Sequence, residues 1–338
     1  MSPRSFAALA VATALVLVLA IGTYAAQNQW SQARASGASL FPGLAAQSGR
    51  IAKIEIKQGE RAVTLARDKE AWVLADRAGY PAKPEPVRAL LVKLAQAELV
   101  EPKTRSKDRY GLLELEDPAG KDAKSRLVRL LDDKDGVIAE AVVGKKRVDA
   151  FGPNKGGTYV RKPADAQTWL ANTDLDVPAA VREWVQPNVF ELVAAKIAGV
   201  TIQIAGEEPL RIAREAGDGG KHTLVGMPDG KKLKEGAGVD GIVRAISSID
   251  LEDVRKLDPA AAGETSVVKV EGDGGLVATL TFKKAGEDHW LSISATGEGD
   301  AKKAADEILA RVQGWEFKLP AGRASSILKR RADLFEAS

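Results

Sequence analysis

Laid against itself at an offset of about 146 to 152 residues, the sequence matches across several kinds of element in the same order, so the body is read as a duplication. Arg50, Ile51, Ala52, Ile54 and Ile56 correspond to Lys196, Ile197, Ala198, Val200 and Ile202. Both sets alternate at the period of two that a half-buried strand requires. Gly59, Glu60, Val63, Leu65, Ala66 and Arg67 then find counterparts in Gly206, Glu207, Leu210, Ile212, Ala213 and Arg214, a turn followed by a second strand. A third strand holds Trp72 and Leu74 in one copy, His222 and Leu224 in the other. Val87, Leu90, Leu91 and Leu94 match Val239, Ile242, Val243 and Ile246, spaced as one apolar helix face.

Each copy then returns to hairpins. Arg126–Leu131 and Val137–Val143 turn at Asp132–Gly136, and Ser266–Val270 and Leu276–Lys283 turn at Glu271–Gly275. Thr158–Arg161, His289–Ala295 and Trp315–Leu319 add strands, Asp300–Gln313 a helix, and Phe190-Glu191 and Phe335-Glu336 close the two copies alike. Antiparallel hairpins interrupted by single helices, without alternating strand and helix, predict an α+β fold. The expected organisation is a tail at residues 1–5, a membrane anchor at 6–26, a linker at 27–40, a first repeat at 41–191 and a second at 192–338.

The anchor is the segment Phe6–Ala26, about 21 residues without a charge, close to the roughly 20 that span a bilayer as a helix. It is longer than the 7 to 15 apolar residues of a cleaved signal, and Tyr24 and Trp30 suit the membrane-water interface. Arg4 precedes it, which predicts a short cytoplasmic tail and a periplasmic body on a single-pass inner-membrane protein. Gln27–Ser39 is polar and small and reads as a spacer, with the folded body beginning near Phe41.

With 45% hydrophobic and 28% charged residues in 338, the chain is too apolar for disorder. Its +3 net charge, about +1 without Arg4 and Arg34, does not form the footprint of a nucleic-acid binder. The absence of cysteine excludes disulfides, thiolate nucleophiles, cysteine zinc sites and a lipidated cysteine.

Several motifs look chemical and read better as architecture. Gly236, Gly238 and Gly241 spell G-x-G-x-x-G, but MPDGKKLKE before them is loop-like, where a dinucleotide site needs a strand. Asp132, Asp133, Asp135 and Gly136 suggest a calcium loop, yet Leu131 and Val142 stand at its first and twelfth positions, so a hairpin turn is expected. The GDGG runs 217–220 and 272–275 read as turns. His222 and His289 lie in strand-like segments with no third metal ligand indicated by spacing. There is no G-x-S-x-G, H-E-x-x-H or G-x-x-x-x-G-K-[ST]. Lys145, Lys146 and Arg147, with Asp149 near, and Lys329, Arg330 and Arg331, with Asp333 near, read as solvated faces. Trp169, Trp184 and Trp315 could form a sugar-stacking platform but are expected as core anchors beside Leu170, Val185 and Phe317.

The arrangement resembles the bacterial family known as domain of unknown function 4340 (DUF4340). The resemblance rests on Phe41–Leu44, on Ile51, Ile54 and Ile56, on Trp72 and Leu74, on Trp169, Leu170 and Leu175–Pro178, and on Ile197, Val200 and Ile202. It covers most of residues 41–257 and implies an envelope protein encoded beside ABC-2-type permease and gliding-motility-type auxiliary genes, with no assigned catalytic residues. The expectation is therefore a membrane-anchored accessory or scaffold protein that binds an ABC transporter permease or auxiliary subunit. It is expected not to be an enzyme and to have no catalytic, cofactor or metal residues, no small-molecule cofactor and no nucleic-acid partner. The alternative is an envelope polysaccharide-binding module or hydrolase using carboxylates in a cleft between the repeats.

Overall fold

The alternation of Ile54 and Ile56 with Lys53, Glu55 and Lys57 is realised as a strand whose isoleucines are fully enclosed, each burial stabilising by about 1.5 to 3 kcal/mol. Around such strands the chain, described by a computed structural model over residues 37–215, 220–227, 231–234 and 238–335 with Val16 and Thr23, packs as two units. The first holds Gly37–Trp72 and Pro84–Ala179, and the second Val73–Lys83 and the described residues from Ala180 onward.

The first unit contains β1 (Ala38–Ser39), β2 (Lys53–Gln58), β3 (Arg61–Asp68) and the start of β4 (Ala71–Leu74). Strand β5 (Tyr80–Pro81) pairs with the end of β4 through Val73↔Pro81 and Leu74↔Tyr80, and this hairpin belongs to the second unit. The first unit resumes with the helix Pro84–Gln96, then β6 (Glu98–Pro102), β7 (Arg126–Leu131), β8 (Val137–Arg147), β9 (Gly157–Arg161) and β10 (Thr168–Ala171). Its sheet runs β4-β3-β2-β7-β8-β9-β10-β6-β1. Val87, Leu90 and Leu94 form the buried stripe of the helix. Tyr110, Leu115, Val142, Tyr159 and Leu170 form one core cluster.

The second unit continues with β11 (Asn188–Glu191), β12 (Ile197–Gln203), β13 (Leu210–Arg214), β14 (His222–Leu224), the helix Val239–Ser247, β15 (Ser248–Asp250) and β16 (Asp253–Lys256). Strands β17 (Glu264–Gly272), β18 (Val277–Ala285) and β19 (Asp288–Thr296) follow, then the helix Asp300–Val312, β20 (Trp315–Lys318) and the helix Arg323–Ile327. Its main sheet runs β14-β13-β12-β17-β18-β19-β20-β16, and β11 pairs separately with β15.

Matched in chain order, the two sheets have one strand order: β4 stands where β14 does, β2 where β12 does, and β6 where β16 does. The sequence repeat is a repeat of topology, and the α+β class holds. The copies differ in their connections. The 3-10 helix Lys107–Leu113 stands between β6 and β7, whereas β16 and β17 are joined without a helix. Lys162–Gln167 joins β9 to β10 without a helix, whereas Asp300–Val312 stands between β19 and β20.

Packing divides the chain elsewhere than the repeat does. Ala180–Glu191, read as the close of the first copy, packs in the second unit, because β11 pairs with β15 and Trp184 is buried there. Of the spacer expected over Gln27–Ser39, residues 27–36 lie outside the described residues, and Ala38–Ser39 is part of the fold. Ala38 and Ser39 pair with Leu99 and Glu98, and Leu40 is buried with its N–H on Ala97 O at 2.8 Å. Gly37 makes this start possible, since a Cβ there would stand 2.0 Å from Leu99 O. The Phe6–Ala26 anchor lies outside the described residues apart from Val16 and Thr23, and no described helix is long and apolar enough to cross a membrane.

Candidate functional site

In the second unit, three separate stretches of chain converge on a hollow of about 240 Å³. Its wall is Tyr80 and Pro81 from β5, Gln186, Asn188 and Val189 at β11, Ala310 and Arg311 in the last turn of the Asp300–Val312 helix, and Trp315 of β20. The β5 hairpin is held against the Gln186 segment by Lys83 N–H donating to Trp184 O at 2.7 Å. Val312 turns inward from the helix while Arg311 beside it turns outward, where the helix dipole favours a cation.

Tyr80 stands nearly perpendicular to Trp315, with centroids 4.8 Å apart at 88°, and edge-on to Phe317 at 6.2 Å. Lys256 Nζ lies 3.6 Å from the Trp315 ring centroid, a cation on its face. Burial raises the Tyr80 phenol above its ordinary pKa while the Arg311 charge pulls the other way, so the group remains a neutral donor at physiological pH.

The polar groups of the wall are poorly used by the protein itself. Among the described residues, the Tyr80 hydroxyl, the Gln186 amide and the Arg311 guanidinium form no hydrogen bond or ion pair. Asn188 donates to Ser248 Oγ at 3.0 Å and Asp250 Oδ1 at 3.3 Å, and its buried Oδ1 has no partner. No carboxylate lines the hollow among the described residues. Apart from the Asn188 Oδ1 acceptor, the wall offers donors and a positive charge beside apolar surface, which suits an anion carried on an apolar group.

The same sheet carries a buried acid with a structural task. Glu316 is 1% exposed, accepts from Arg255 Nε at 2.9 Å, and has Lys283 Nζ at 3.5 Å, while Arg255 also lies 3.9 Å over the Trp290 ring. Arg77 grips Asp253 through two nitrogens at 2.7 and 3.0 Å.

The motif residues fall into ordinary roles. Gly238 caps the Val239–Ser247 helix with extended backbone, as a glycine-rich helix start would, while Gly236 lies outside the described residues. Asp132 Oδ1 accepts from Lys134 N–H at 3.0 Å and Gly136 N–H at 2.8 Å and closes the β7–β8 turn, with Asp135 paired to Lys53. Of the GDGG runs, 272–275 is a turn whose Asp273 pairs with Arg214, and 217–219 lie outside the described residues. His222 is buried with Nε2 2.9 Å from Ile197 O, and His289 sits in β19. Lys146 pairs with Asp174 and Asp176 rather than Asp149, and Arg330 with Asp333. Among the described residues, no three His, Cys, Asp or Glu side chains group as a metal site.

Trp184 is a core anchor as expected, whereas Trp169 and Trp315 are half-buried and Trp315 faces the hollow. Tyr80, Gln186 and Arg311 carry no motif, because their relation depends on a hairpin and a helix end meeting across more than 200 residues of chain.

Asp132, Asp273 and Asp333 are held below the usual carboxylate range, Asp132 by the Gly136 and Lys134 N–H groups, the other two by the guanidiniums of Arg214 and Arg330. A carboxyl with a lowered folded pKa contributes stability above its unfolded value, about 3.9, and loses it as pH falls through the folded value. The urea midpoint is therefore expected to be level from pH 7 to 5 and to fall below about pH 4. Asp132→Asn should flatten that fall, and an unchanged acid limb in this variant would count against the turn as a contributor.

No curated protein and no solved structure matches the chain. The model of one family, described as a domain of unknown function (DUF4340), matches residues 72–268, more than half the chain and from the β4 strand of one copy to the β17 strand of the other. The chain belongs to the DUF4340 family.

Proposed function

We propose that this protein is a membrane-anchored periplasmic accessory protein that acts by binding protein partners, as an auxiliary component of an ABC-type transport system. The observation that carries the reading is the uncharged run Phe6–Ala26 placed a short stretch before a body whose fold starts by Ala38. Such an arrangement confines the body to the plane of a bilayer and raises its effective concentration near other proteins of that membrane. The gene context associated with the DUF4340 family supplies the transporter. The hollow in the second unit supports a binding role, since its wall presents donors that the fold itself leaves unused.

Purification of the full-length protein from mildly solubilised membranes, beside a variant lacking Met1–Ala26, tests the reading by mass spectrometry. Recovery of a permease and its ATPase with the anchored form alone is the expected result. Recovery of nothing above the shortened variant would sink a stable transporter complex, and retention of envelope glycans instead would favour polymer binding.

A further inference from the structure

We propose that the hollow formed by Tyr80, Gln186, Arg311 and Trp315 is a binding site for the C-terminal residue of a partner polypeptide, an inference that rests on the protein-binding role above. The first ground is charge. Arg311 is an arginine without an ion pair among the described residues, at a wall with no carboxylate, so the complementary ligand group is an anion. The Tyr80 hydroxyl and Gln186 amide stand on the same wall with their hydrogen-bonding capacity unused. Three donors of this kind match the two oxygens of a carboxylate, which accept several hydrogen bonds at once.

The second ground is size. At about 240 Å³ the hollow is smaller than the roughly 300 Å³ at which sites for drug-sized molecules begin, and it takes one residue rather than a long ligand. The third is the apolar part of the wall, Pro81, Val189, Ala310 and Trp315, which asks for an apolar group within a few ångströms of the anion. The terminal residue of a polypeptide ending in leucine or a similar side chain has both on one Cα atom. An internal acidic residue instead carries its charge at the tip of the side chain and brings no apolar group with it.

A stacked sugar fits the same wall less well. Carbohydrate stacking uses an open flat aromatic surface, but Tyr80 and Trp315 are perpendicular and Lys256 already occupies a face of the indole. A free small carboxylate with an apolar body shares the chemistry of a peptide terminus, and the two sources are separated by whether the preceding residues add affinity.

The test uses the full-length chain in mild detergent and fluorescein-labelled heptapeptides ending in Ala-Leu, one with a free terminal carboxylate and one amidated, read by fluorescence anisotropy. The free acid is expected to bind at least about tenfold more tightly than the amide. Arg311→Gln should remove that preference by bringing the acid to about the affinity of the amide, while Arg311→Lys restores part of it, because a lysine keeps the charge without the fork of donors. Arg311 is exposed, so both variants should melt as the parent does, and Gln186→Ala, also exposed, provides a second variant expected to weaken the acid more than the amide.

Equal affinity for acid and amide would overturn the proposal, as would a full preference retained in Arg311→Gln, or no binding of either peptide at about 1 mM. Binding of N-acetyl-leucine as tight as the peptide, or displacement by a uronic-acid oligosaccharide at lower concentration, would assign the hollow to a free acid or a glycan and equally remove the polypeptide. The two readings fail separately. A selective peptide response with no permease recovered keeps the hollow and drops the transporter, and a recovered permease with no selectivity does the reverse.

Discussion

Trp184→Ala is expected to destabilise the second unit by about 4 kcal/mol, near the middle of the range for truncating a buried tryptophan, where lost transfer energy and a residual cavity add. Trp184 is 1% exposed, and it heads the largest fully enclosed side chains among the described residues. It ends the short 3-10 turn Val181–Glu183 and immediately precedes the Gln186–Val189 wall of the hollow. Its carbonyl also accepts the Lys83 N–H that positions the Tyr80–Pro81 hairpin. For a unit of this size, about 4 kcal/mol corresponds to a fall in Tm of roughly 8 to 16 °C. Trp184→Phe should cost about half as much, because a smaller ring leaves a smaller void. The second consequence is specific to this placement. At temperatures where the Ala variant is still folded, binding at the hollow should weaken, since the loosened segment carries Gln186 and Asn188. A variant that melts within about 1 °C of the parent would show that Trp184 is not the anchor of this segment.

Glu316→Ala should cost about 3 kcal/mol, at the lower end of the effect of removing one partner of a buried ion pair. The side chain is almost wholly enclosed between Arg255 and Lys283, and its loss leaves two cations facing each other without the charge that separates them. Arg255 is the reason for the lower end. Its side chain is 38% exposed and can recover hydration, and it retains the Trp290 ring. Glu316→Gln keeps the volume and an acceptor for Arg255 and is expected to fall between parent and alanine. Lys302→Ala breaks the exposed i,i+4 pair with Asp306 and serves as the reference, expected within about 0.5 kcal/mol of the parent. Urea denaturation of the three variants decides the matter, and Glu316→Ala indistinguishable from Lys302→Ala would refute a structural role for this network.

Most of the fold was legible along the chain because its signals are local. Val63 and Leu65 are the enclosed positions of β3 on either side of the half-buried Thr64, and Val239, Ile242, Val243 and Ile246 share a helix face, as their spacing required. Strands β6 and β16 were missed. In Glu98–Pro102 the burial pattern has no enclosed position, and Asp253–Lys256 has one, Val254, so neither shows a period of two. Their place beside β10 and β20 is set by hydrogen bonds to strands far along the chain, which composition does not encode.

The sequence alone determined the α+β character that antiparallel hairpins impose and the recurrence of one order of strands, because periodicity and turn chemistry act over a few residues. Tertiary structure decided where the units divide, that Ala38–Ser39 joins a sheet instead of a spacer, and that Tyr80, Gln186, Arg311 and Trp315 share one wall. The reason is the same in each case: these are contacts between segments remote in the chain, whose partners are chosen by packing volume and hydrogen-bond completion in three dimensions and leave no spacing to read.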